Sequence, residues 1–145
     1  MAADPWKKYD SFPYRMAGKF MDFQNDAFKM ALFTSASNAS DPTKSVYSDL
    51  TGEVAAGFGY TTGGVALSGV TLSVSGATVK WTSGNGVWTA SGGAIVCRYA
   101  TIYDTTTGDL VCWSLLNNTP ADVTATSVFT VQIATGGIYI ITGMS

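Results

Sequence analysis

The chain has 145 residues, 12% of them charged, with a net charge of −2 and no histidine; this length makes one domain with a core of its own. Its few basic residues are scattered, which excludes a nucleic-acid-binding stripe, and no apolar run nears the roughly 20 residues of a membrane span. Without imidazole the commonest general base and most catalytic zinc sites are also gone.

Residues 1–26 differ from the rest. They carry Lys7, Lys8, Arg15 and Lys19 among the aromatics Trp6, Tyr9, Phe12, Tyr14, Phe20 and Phe23. Pro5 and Pro13 interrupt helix, and one short helical turn is expected around Tyr14 to Phe20. No apolar stretch follows the lysines, so no secretory signal is read, and the product is expected to stay in the cytoplasm or in something assembled there. The segment reads as an irregular N-terminal arm whose six aromatics contact a partner, since such side chains dominate interface energetics. The alternative is an arm folded back on its own body.

Residues 27–145 read as a β-sandwich domain. Ala27 to Thr34 is the first expected strand, with Phe28, Met30 and Leu32 on one face. A loop rich in Ser, Asn, Asp and Pro follows, then one helical turn near Ser48 to Val54. Gly57 to Gly64 lacks the GxxxxGK[ST] pattern and is not followed by a helix, so its glycines are expected to permit positive φ in a loop that swings the chain between sheets. Val65 to Val74 alternates, Gly76 turns the chain, and Ala77 to Ser83 returns.

The centre is a predicted hairpin. Ala94 to Tyr103 is apolar on both faces apart from Arg98, the turn Asp104 to Asp109 follows, and Leu110 to Leu116 comes back. A strand of that kind sits centrally and is covered on each side. Arg98 is expected to pair with a carboxylate within the sheet or to cross to a neighbouring subunit. A polar loop with Pro120, a strand from Ser127 to Ala134, the turn Gly136-Gly137 and a strand from Ile138 to Thr142 complete the chain. Short strands, frequent turns and no long amphipathic helix predict an all-β antiparallel sandwich of the jelly-roll or Greek-key kind.

The chemistry offered is sparse, and no enzyme is expected. The body's acidic residues include Glu53, Asp104, Asp109 and Asp122, without the spacing of a catalytic pair. Asp104 and Asp109 bracket a loop and could bind a hard cation, but Asp and Gly are ordinary turn residues, so no metal and no cofactor are expected. A turn centred on Thr106 sets Cys97 about four residues out of register with Cys112, too far for a disulfide, and both are read as buried free thiols. Trp81 and Trp88 are expected in the core. A charge share about half the usual one of roughly 25% suits a surface covered by neighbouring copies.

Four segments, FKMALFTS, SDLTGEVAAGFGYTTGGVALSGVTL, VWTASGGAIVCRYATIYDTTTGDLVCW and FTVQIATGGIYII, occur in that order over about residues 27–142. Together they resemble a family of small virion structural proteins of tailed bacteriophages, most like head decoration (cement) proteins. The resemblance implies a non-enzymatic protein on the capsid surface that bridges major capsid protein subunits, often as a homo-oligomeric trimer. Neck or tail accessory, fibre-attachment protein and displayed carbohydrate-binding module are the alternatives. With the N-terminal segment as a partner-binding arm, deletion of residues 1–24 is expected to leave a folded sandwich that no longer binds heads.

Overall fold

The computed structural model describes residues 3–119, 121–134 and 137–141. In chain order its elements are β1 (Lys7–Lys8), α1 (Phe12–Ala17), β2 (Phe28–Phe33), a 3-10 turn (Tyr47–Asp49), β3 (Val65–Ala66), β4 (Thr71–Ser75), β5 (Thr78–Thr82), β6 (Gly86–Thr89), β7 (Ile95–Cys97), β8 (Tyr99–Asp104), β9 (Leu110–Leu115), β10 (Val123–Ala125), β11 (Val128–Val131) and β12 (Tyr139–Ile141). The fold is the expected antiparallel β-sandwich. One layer is the five-stranded sheet β1-β9-β8-β2-β3; the remaining strands form the sheet β12-β5-β4 and the pairs β10-β7 and β11-β6. Pro120, Gly136 and Thr142, which the sequence places in a loop, a turn and a strand end, lie outside the described residues.

Alternation in β2 explains the two cores. Phe28, Met30 and Leu32 enter the main cluster with Trp81, Trp88 and Ile102, whereas Ala31 and Phe33 enter a second one with Tyr9, Ala39, Tyr103 and Leu110. The five-stranded sheet is therefore covered on both faces, which is why β2 and β8 are apolar on both sides. β8 is its central strand.

The central hairpin is formed by β8 and β9, with Tyr99 opposite Leu115 and Ile102 opposite Cys112. The register then shifts so that Tyr103 faces Leu110, leaving Val111 as the extra residue of a bulge. As a result Val111 and Cys112, though adjacent, both reach the main cluster while Leu110 reaches the second.

Two predicted strands are broken. The run Ala94 to Tyr103 divides at Arg98, whose amide donates to the Phe33 carbonyl at 2.7 Å and whose carbonyl accepts from the Leu116 amide at 3.0 Å. Before that point the chain leaves the large sheet, and β7 pairs with β10 instead of β9. The run Val65 to Val74 divides at Gly69, where φ is +61°. In each case the apolar alternation is correct, but it carries the chain from one layer to the other.

The N-terminal segment requires a correction. β1 adds to the edge of β9, with Lys7 opposite Trp113 and Lys8 opposite Cys112. Pro13 occupies the first turn of α1, where a missing N–H costs nothing, so it starts the helix instead of interrupting it. Tyr9, Phe12 and Phe23, expected as partner contacts, lie inside the chain's own cores, with exposures of 0%, 1% and 8%. Tyr9 closes the second cluster, donating to the Ala39 carbonyl at 2.6 Å, while Phe12 meets Phe23 and Tyr139 edge-on in the main one. The segment thus wraps the β9 edge and seals both faces of the sheet. A truncation here removes core, so a folded remainder is no longer the expectation.

Candidate functional site

The acidic side chains singled out in the sequence are occupied structurally. Glu53 accepts hydrogen bonds from the Tyr47 hydroxyl, the Tyr60 hydroxyl (2.7 Å) and the Gly63 amide (2.7 Å). Tyr103 donates to the Gly63 carbonyl at 2.7 Å and stacks on Tyr47 with ring centroids 4.3 Å apart. One carboxylate thus gathers the Gly57–Gly64 loop onto the face of the large sheet. Burial, with Glu53 adding to it, pushes the phenols of Tyr47 and Tyr60 well above their ordinary range. Proton donors of that kind hold structure and do not serve as bases at neutral pH.

Asp104 Oδ1 accepts from the amides of Thr106 (2.8 Å) and Thr107 (3.3 Å), the expected turn role. Its Oδ2 is buried with no donor beside it, and the Asp26 carboxyl lies within hydrogen-bonding reach of the group. Burial first, and the facing Asp26 second, push Asp104 up to about 7. Asp109 pairs with Arg15 at 3.2 Å, a link from the hairpin turn to α1 that no sequence spacing announces. Among the described residues no group of three or more His, Cys, Asp or Glu could hold a metal ion.

Arg98 pairs with Asp122 at 3.0 Å, so of the two expected roles it takes the carboxylate within its own chain. Cys97 and Cys112 are free and buried. Burial, and more weakly Asp122, raise the Cys97 thiol to about 12, and burial alone raises Cys112 further. Neither is a nucleophile at neutral pH. Trp81 and Trp88 are core residues, with exposures of 0% and 3%.

Of the six aromatics read as partner contacts, Trp6 is half-buried against the main core, and two stand out in solvent. Tyr14 and Phe20 are 68% and 46% exposed and stack with centroids 5.6 Å apart. The Arg15 guanidinium lies 5.4 Å from the Phe20 centroid while its other contact is Asp109. Phe12, the first residue of α1, is buried in the core and anchors the helix that carries Tyr14 and Arg15; Phe20 follows three residues beyond its end. A separate groove of about 460 Å³ is lined by Lys29, Tyr47, Ser48, Tyr103 and Thr107 among others. It brings one ammonium beside phenol rings, and no carboxylate is among its lining residues.

Comparison with family models, curated proteins and solved structures finds no match.

Proposed function

We propose that the chain is a non-enzymatic structural protein of a tailed-bacteriophage virion, a decoration protein on the outside of the head lattice. Three things support this reading. The segments FKMALFTS, GFGYTTGG and CRYATIYD resemble that family in order and spacing. Glu53, Asp104, Asp109 and Asp122 are engaged in a tyrosine network, a turn and ion pairs, which favours recognition over catalysis as the work of the surface. The observation that carries it is the exposed Tyr14–Phe20 stack with Arg15 beside it. Tyr, Phe and Arg are the residue types that anchor interfaces, and here they cost little ordering entropy because α1 is pinned by Phe12.

On this proposal the patch docks against the major capsid protein. A component that binds the expanded lattice and not its precursor stabilises the expanded form by mass action, in proportion to its occupancy. Copy number in purified particles, measured against the major shell protein, is the direct test. A ratio on the order of one copy per shell subunit supports decoration. A dozen copies or fewer per particle would place the protein at the neck or tail, and absence from particles would overturn the virion reading.

A further inference from the structure

The outer edge of β4 is unusual for this molecule. Ser75 and Thr78 pair across the two-residue turn Gly76-Ala77, so they form a hydrogen-bonded pair, and alternation gives the same status to Ser73 with Lys80 and Thr71 with Thr82. The amides and carbonyls of Leu72 and Val74 therefore point away from β5. β4 is the outermost strand of its sheet, and these groups have no backbone partner among the described residues.

Among the described residues nothing blunts this edge. The edges of the large sheet, β1 and β3, are only two residues long, and β1 is Lys-Lys. Short strands and lysines are the devices that prevent edge pairing. β4 has five residues, TLSVS, with no charge, proline or glycine. Val74 is also 72% exposed and shares a sheet face with Leu72, Val79 and Trp81.

We propose that β4 pairs antiparallel with β4 of a second copy of this chain, about a two-fold axis through Ser73. The two outward-facing residues of each edge are spaced so that Leu72 of one copy meets Val74 of the other, twice, giving four backbone hydrogen bonds. Ser73 then stands opposite itself in a non-hydrogen-bonded pair, with no like charges in contact. Each exposed Val74 gains a leucine neighbour, and the two three-stranded sheets become one of six strands. The register is two-fold symmetric, and the side chains it brings together, Leu72 with Val74 and Ser73 with Ser73, are apolar or small and uncharged, so a second copy fits this edge. The pairing does not depend on the virion reading: purified protein in solution is sufficient to show it.

The test is the molar mass of the full chain over a concentration series, by light scattering and sedimentation. Wild type is expected to be dimeric. Val74→Pro deletes an outward amide without touching the ladder to β5, and Ser73→Lys sets two ammonium groups face to face on the axis; both should be monomeric with an unchanged circular dichroism spectrum. Because a variant can fail to fold, a cross-link provides the second measurement. A non-hydrogen-bonded antiparallel pair has Cα atoms about 4.5 Å apart, within disulfide reach, so oxidised Ser73→Cys should become a covalent dimer. Val128→Cys, also exposed but on another strand pair, should remain monomeric. A wild type that stays monomeric at millimolar concentration, or a dimer insensitive to both edge substitutions, overturns the proposal, as does failure of Ser73→Cys to cross-link above the Val128→Cys control.

Discussion

Asp104 shows how much one side chain can contribute to the pH response of a fold without function in the catalytic sense. Folding raises its pKa from 3.8 to about 7, so the native state holds this proton more tightly than the unfolded chain. The associated stability is whole below the ordinary carboxylate range and is lost as pH rises toward neutrality. Asn at this position keeps an acceptor for the Thr106 and Thr107 amides and offers Asp26 a donor at every pH. Urea unfolding should therefore show Asp104→Asn gaining on wild type steadily between about pH 4 and pH 7, with a constant difference above that. Gly64 is the other residue-scale constraint: φ is +83°, and a Cβ would fall 1.9 Å from the Met30 carbonyl oxygen. Gly64→Ala should cost about 3 kcal/mol or more, read as a fall in the denaturation midpoint, because backbone and not a movable side chain is in the way. Gly59 is held in the same manner, with φ +94° and the Thr89 carbonyl oxygen 2.0 Å from its Cβ direction. The two glycines seat one loop against β2 and β6; the positive φ is as expected, but the strands on either side, β2 and β3, belong to one sheet, so this loop does not carry the chain between layers.

At the scale of elements, the first 26 residues are divided between two jobs. β1, Tyr9, Phe12 and Phe23 belong to the body, whereas Tyr14 and Phe20 face outward. Phe12→Ala should destabilise by about 3–5 kcal/mol, the usual cost of emptying a buried phenylalanine site, measurable by thermal or chemical denaturation. Tyr14→Ala and Phe20→Ala should each change stability by less than about 0.5 kcal/mol and, on the proposed function, weaken binding to heads. Equal loss of stability in the two cases would mean that the stacked pair is structural. Deletion of residues 1–24 confounds the two jobs and is expected to yield an unfolded or aggregating product. Both the helix and the broken strands were partly legible: the apolar alternation of residues 65–74 and 94–103 is correct, but where a run changes layers depends on a glycine's φ and on an arginine's partner.

For the whole molecule, scarcity of charge is the property that the proposed assembly would draw on. A surface with few repulsive groups disperses poorly alone, and here its exposed apolar side chains include Val74 on an edge strand and the stacked pair of Tyr14 on α1 and Phe20 just beyond it. A two-fold through β4 and a separate aromatic patch would give each dimer two identical docking points. If both hold, removing the β4 contact should reduce apparent affinity for particles by more than the loss of a single site, since paired sites bind with high effective concentration. Binding of Ser73→Lys to heads, compared with wild type, measures this.

The amino-acid sequence by itself determined the class of fold, the central hairpin and the turn role of Asp104, because these depend on local periodicity and on residues close in the chain; Cys97, read as part of that hairpin, instead pairs with Val123. Only the tertiary structure decided which aromatics of the first 26 residues are core and which are surface. Tyr9 meets Ala39 and Thr101, Phe12 meets Tyr139, and Arg15 meets Asp109, contacts between residues far apart in sequence. An irregular segment has no period to mark its inner face, so burial there is set by the shape of the sheet it wraps. The same holds for β4, whose exposure as an edge follows from strand order and not from anything within its five residues.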